Sequence, residues 1–140
     1  MLTLEQAKTI ADATIAEGKR LGLAPLAVSV LDRGGNLLVF QRQEDAGILR
    51  FDITFAKAWG SLGMGFGSRE LAKRAGNAPA FFNALAAASG GRIAPSPGGV
   101  LIADQRGKVV GAVGVSGDIG DMDEKCALAG ITAAGLKSRG

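Results

Sequence analysis

The residues from Pro97 to Gly117, PGGVLIADQRGKVVGAVGVSG, constrain this chain more than any other stretch. Two apolar runs, Val100–Ala103 and Lys108–Ser116, flank Asp104-Gln105-Arg106-Gly107, and Asp and Gly are turn formers. The pattern predicts a β-hairpin. Strict alternation puts Val109, Gly111, Val113 and Val115 on one face of the second strand and Val110, Ala112, Gly114 and Ser116 on the other. Glycine weakens a strand interior and offers nothing to pack. Glycines at 111 and 114 therefore predict that another element comes very close. A packed helix is the ordinary occupant, and a flat ligand is the alternative.

An earlier stretch repeats the pattern. Leu26–Leu31 and Leu37–Arg42 flank Asp32-Arg33-Gly34-Gly35-Asn36, and in both turns Asp is followed by Gly three residues later. Two copies are too few for a solenoid, so they are expected to be two hairpins of one antiparallel sheet. Helices fill the rest. Thr3-Leu4-Glu5-Gln6 reads as a capping box, opening a helix with Leu4, Ala7, Ala11, Ile15 and Gly18 on its apolar stripe and an end near Leu21-Gly22. Gln41–Gly47 is polar and loop-like. Asp52–Met64 is apolar almost all round, which predicts a helix buried on several sides. Ser68 is expected to cap SRELAKR, and Asn77 to cap PAFFNALAAAS, which Gly90-Gly91 stops. Ile93-Ala94 is expected as a short extra strand. Asp121-Met122-Asp123-Glu124 reads as a capping box for a last helix, Met122–Leu136, with Lys137 and Arg139 at its negative end. The result is an α/β chain of the α+β type: an antiparallel sheet of about five strands with helices packed on it. No strand–helix–strand alternation points to a doubly wound parallel sheet.

Composition narrows the chemistry. At 140 residues the chain is expected to be a single domain, 1–140. It has 16 Lys and Arg against 13 Asp and Glu, scattered rather than clustered, with 5% aromatics and no Tyr. No basic stripe with stacking aromatics is present, so no nucleic-acid partner is expected. No apolar run approaches the ~20 residues of a membrane helix, and no signal peptide is visible. The expected location is cytoplasmic and the expected membrane contact is none. The single cysteine, Cys126, rules out an intrachain disulfide. It sits one turn into the last helix, where a thiol can become reactive, although a free cysteine is usually an apolar filler. Met64 and Met122 could ligate a soft metal; methionine in an apolar helix is ordinarily core, and no metal site is expected. The absence of histidine removes the Ser-His-Asp triad, the usual zinc ligand sets and a proximal-histidine haem. The glycine clusters do not read as a nucleotide site. Gly63-Met64-Gly65-Phe66-Gly67 follows a helix rather than a strand, and Gly111–Gly114 lies inside one.

The blocks LTLEQAKTIADATIAEGKRLG, VSVLDRGGNLLVFQR, FAKAW, SRELAKR, PGGV, GAVGVSG and DEKCALAG occur in this order along nearly the whole chain. Together they resemble the GlcG/HbpS-like family, which includes haem-binding HbpS, GlcG and the C-terminal domain of PduO-type proteins. The resemblance implies a profilin-like fold, a homo-oligomer and, as function, haem or tetrapyrrole binding accessory to catabolism or haem handling. Two alternatives stand beside it: a binding protein or enzyme for a small organic acid of a catabolic pathway, and a purely structural oligomerising module. Whether the chain is an enzyme is left open.

Several residues could serve such a site. Lys57 is the lone cation in DITFAKAW, Arg42 closes the second strand, and Arg69 follows Ser68. These cations could hold a propionate or another carboxylate, or could simply be surface charges. A carboxylate such as Asp52 would complete an organic-acid site. Ser68 at a helix N-terminus would favour an anion, with Phe51 or Phe66 covering its apolar part. With neither His nor Tyr, the Ser68 hydroxyl or a water is the expected partner of any haem iron. The site is expected where Arg42, Lys57 and the Met64–Arg69 turn converge, near a subunit boundary. Unpartnered Ile53, Phe55, Trp59, Phe81, Phe82 and Leu85 support a self-associating chain.

Overall fold

The hairpins form where turn chemistry and β-branched runs coincide. In the computed structural model, which describes residues 1–140, strands β1 (Ala27–Asp32) and β2 (Leu37–Arg42) make the first, and β3 (Gly99–Ala103) and β4 (Val109–Ser116) the second. β1 and β4 pair with each other, so the two hairpins join into one antiparallel sheet in the order β2-β1-β4-β3-β5. The fifth strand is not Ile93-Ala94, which lies outside any strand. It is β5 (Lys137–Arg139), paired with β3 from Leu101↔Arg139 to Ala103↔Lys137. The last helix ends at Ala133, not Leu136, because Gly135 turns left-handed (φ 73°) and sends the chain back along the open edge of β3. Lys137 and Arg139 thus belong to an edge strand rather than a helix end; unpaired edge groups gain partners there.

Helix α1 (Leu4–Arg20) starts at the expected capping box: Thr3 accepts from Gln6 N–H at 3.0 Å while the Gln6 side chain accepts from Thr3 N–H. Ala7, Ile10, Ala11, Thr14 and Gly18 face inward, whereas Leu4 is exposed. Helix α1 and helix α5 (Gly120–Ala133) cover one face of the sheet, closing a core of Val28, Val30, Val113, Val115, Ile10 and Ile131. Helix α2 (Arg50–Met64) covers the other. A Cβ at Gly114 would collide with the Thr54 carbonyl, and one at Gly99 with the Lys57 carbonyl. The glycines on this face therefore exist for helix–sheet contact, not for a flat ligand. The buried Ser29 and Thr54 hydroxyls, 2.8 Å apart, share a hydrogen bond across the same seam.

Alternation fails at one place in each hairpin. Val30 pairs with Val39 but Leu31 with Leu37, and Ile102 pairs with Gly111 but Ala103 with Val109. Leu38 and Val110 are the extra residues of two β-bulges. The second bulge moves Val110 to the core beside Val113 and puts Val109 against the α2 layer.

Helices α3 (Ser68–Asn77) and α4 (Pro79–Ala88) follow α2. Three expected caps are replaced. Gly67 rather than Ser68 is the N-cap of α3, Ala78 rather than Asn77 that of α4, and Ile119 rather than Asp121 that of α5. Asp118 accepts from the Ile119 N–H at 2.8 Å. No helix is long and apolar enough to cross a membrane.

Candidate functional site

Lys57 lies on the sheet-facing side of α2, 3% exposed. Its ammonium donates to the Val115 carbonyl at 2.8 Å and to the Asp123 carboxylate at 3.2 Å. The other Asp123 oxygen accepts from the Asp118 N–H at 3.0 Å. Burial is the stronger influence on both partners: it lowers the pKa of Lys57 and raises that of Asp123, each against their mutual attraction. Lys57 is therefore an internal tie between α2, β4 and α5, and its ammonium is not free for a ligand carboxylate.

Ser68 is fully buried. Its hydroxyl accepts from the Gly99 N–H at 2.7 Å and donates to the Ser96 carbonyl. The residue expected to cap its helix instead anchors the segment leading into β3. Arg42 donates to the Ala46 carbonyl at 2.8 Å and holds the loop beyond β2. Phe51 packs edge-on against Phe40, centroids 5.0 Å apart, and against Phe55. Asp52 sits in the first turn of α2, where a negative charge suits the helix dipole. Phe66 lies under Arg74, whose guanidinium carbon is 4.1 Å from the ring centroid. The seven expected residues are thus dispersed. Arg42 belongs to edge strand β2, and the Ser68–Arg69 turn faces β3, nearer the opposite edge.

Arg69 is the one that opens onto a cavity. This cavity, about 460 Å³, lies between the start of α3, β3, β5 and α5. Arg69 and Lys73 stand at it as cations, Val100 and Leu128 give apolar wall, and Ser138 contributes a hydroxyl. A Cβ at Gly67 would crowd the Gly99 carbonyl and Gly140, so glycine permits the close approach of the chain here. Arg69 bridges to α5 by bonds to Glu124, at 3.1 Å, and to Asp121. Lys73 makes no ion pair.

Asp123, Glu124 and Lys73 were missed from sequence. A signal for Asp123 existed. It shares its helical face with Cys126, Ala127, Gly130 and Ile131, all buried, and an acid on an apolar stripe predicts an internal partner. Cys126 is itself fully buried, and desolvation pushes its thiol up to about 11. It is a core residue and not a thiolate ligand. No group of three His, Cys, Asp or Glu is placed to hold a metal ion.

The rim carries two cations, Arg69 and Lys73, and two carboxylates, Glu70 and Glu124, and the only uncharged side-chain oxygen at the cavity is the Ser138 hydroxyl.

Comparison with known proteins adds the following. The family described as haem degrading protein HbpS-like matches residues 2–132. An uncharacterised 15.0 kDa protein from the dhaT–dhaS intergenic region of Citrobacter freundii is 34% identical over 122 residues, covering 87% of this chain and 84% of its own. A double mutant of HbpS from Streptomyces reticuli superposes with a TM-score of 0.80 at 32% identity, over 94% of this chain and 85% of that one. Klebsiella pneumoniae ORFY matches with a TM-score of 0.85 at 29% identity, over 95% and 90%. A PduOC–haem complex matches with a TM-score of 0.87 over 99% of both chains, at 23% identity. This last likeness concerns the fold.

Proposed function

Because the chain belongs to the HbpS-like family, we propose that it binds haem or a related tetrapyrrole, as an accessory to catabolism or haem handling. The observation that carries this reading is the cavity beside Arg69, where Lys73 stands free of any ion pair over the apolar wall of Val100 and Leu128, with Glu70 and Glu124 also on the rim. Lys73 would hold one propionate as a point charge, and Arg69 the other in exchange for its bonds to Glu124 and Asp121. Val100 and Leu128 would exclude water from one face of the ring. Bound haem would supply iron redox chemistry. The chain's own part is to orient the ring by its acidic edge, with Ser138 the available hydroxyl. The lone, unpaired Cys126 suits a reducing, cytoplasmic setting.

The test is a haem titration followed by visible spectroscopy. A saturable Soret shift is expected, weakened at least tenfold in Arg69→Gln/Lys73→Gln. No shift at stoichiometric haem sinks the reading.

A homo-oligomer accompanies this proposal. Ile48 is 98% exposed, and its neighbours Leu49 and Phe51 are also open to solvent. Three large apolar residues within one short stretch of surface favour contact with a second copy. Light scattering is expected to give a multiple of 14.2 kDa, and a mass of one chain would remove it.

A further inference from the structure

The two Asp–Gly hairpins share more than a sequence echo. In each, one Asp oxygen accepts two backbone N–H groups, two and four residues on: Gly34 and Asn36 for Asp32, Arg106 and Lys108 for Asp104, all at 2.9–3.0 Å. Gly35 and Gly107 take the same left-handed conformation, φ 82° and 83°. Each hairpin then carries its β-bulge at the same distance from its Asp, at Leu38 and at Val110. Because β1 and β4 are neighbours, the two turns project from the same end of the sheet. A cleft of about 690 Å³ lies between them, and both bulged residues line it.

We propose that this cleft binds a small organic dianion with an apolar body, such as a dicarboxylate. Arg33 comes from one hairpin and Arg106 and Lys108 from the other. None of the three is engaged in an ion pair. The two carboxylates that also line the cleft are turned into their own loops, where each accepts two backbone N–H groups. Cations from two sides match a ligand with an acidic group at each end, and the arginine forks suit carboxylates. The floor of Leu2, Leu38 and Val110 suits an aliphatic or aromatic spacer. The volume is that of an organic ligand site, far larger than an inorganic anion needs. Bulges commonly re-aim side chains beside binding sites, and here two equivalent bulges aim aliphatic groups into one cleft. The site lies at the Asp104 end of β3, whereas the Arg69 cavity adjoins its Gly99 end. It is therefore independent of the tetrapyrrole reading.

The test is a titration of the full, isotope-labelled chain with adipate and with terephthalate, read by amide shifts, with acetate as the single-charge control. Saturable shifts are expected at residues 33–36 and 105–108 for at least one dianion. Affinity is expected to fall about tenfold, ~1.4 kcal/mol, in Arg33→Gln and in Arg106→Gln, to fall with added salt, and to be unchanged in Arg69→Gln. Both variant positions are exposed turn residues, and unchanged melting temperatures confirm that the fold is intact. Absence of saturable shifts with both dianions, shifts confined to the Arg69 cavity, unchanged affinity in both Gln variants, or acetate binding as tightly as the dianions would each overturn the proposal. The haem titration reads a different cavity by a different signal, so failure of either proposal is distinguishable from failure of the other.

Discussion

Lys57 on α2 and Asp123 on α5 meet at 3.2 Å in an almost completely buried pair that ties the two helix layers together at the C-terminal end of β4. Removing one partner leaves the other charged and unpaired. Lys57→Met is expected to cost about 3–5 kcal/mol. Adding Asp123→Asn should recover much of that loss, because Asn keeps an acceptor for the Asp118 N–H and leaves no buried charge. Urea denaturation of the single and double variants checks this; an additive double variant would mean that the pair is not coupled.

The same pair makes stability depend on pH. Asp123, with its folded pKa raised by burial, stabilises the fold in its acid form. That contribution is complete below its unfolded value of about 3.9 and is lost as pH rises through the folded value. Lys57, lowered by burial, behaves oppositely. Its contribution is complete above about 10.4 and is lost as pH falls through the folded value. The double variant lacks both dependences. As pH rises above the unfolded aspartate value of about 3.9, its stability is expected to fall less than that of the parent. Identical slopes would contradict the assignment.

One substitution type should act with opposite signs at two glycines. Gly114→Ala drives a Cβ into the Thr54 carbonyl and within 3.0 Å of the Ala58 nitrogen. The α2 backbone cannot yield cheaply, and a loss of about 1–3 kcal/mol or more is expected, larger in Gly114→Val. Gly76→Ala meets nothing within 4 Å inside α3. It should stabilise by up to about 1 kcal/mol through helix propensity. Thermal melts of the two variants decide the matter.

Ser68→Ala deprives the buried Gly99 N–H of its acceptor. A cost of about 1–3 kcal/mol is expected. Ser68→Thr, which keeps the hydroxyl, should restore part of it. A loss below half a kilocalorie would mean that the Gly99 N–H does not depend on the Ser68 hydroxyl.

Cys126 should be inert in the native protein. A buried thiol raised to about 11 is neither ionised nor accessible at mildly alkaline pH. Its neutral form stabilises the fold below the unfolded value, about 8.5, and this is lost as pH rises through about 11. Thiol labelling should be stoichiometric in denaturant and negligible without it. Rapid native labelling would show that α5 leaves the core readily.

The sequence by itself determined the hairpins, the capping box at Thr3 and the close approach at Gly114. Each rests on local chemistry: β-branched runs around Asp–Gly turns, a hydroxyl three residues before Gln6, and a missing side chain on a strand face. The pairing of Lys57 with Asp123, 66 residues apart, was decided by the tertiary structure. So was the use of Ser68 as a tie to Gly99 rather than a cap, since a hydroxyl at a helix start serves either partner and only the fold brings the Gly99 N–H within reach. The fifth strand was decided the same way. Lys137–Arg139 has no strand pattern of its own and pairs only because β3 offers an open edge beside the end of α5. Residue spacing records what a segment can form, whereas a buried charge, a shared hydroxyl and an edge strand depend on partners distant in sequence.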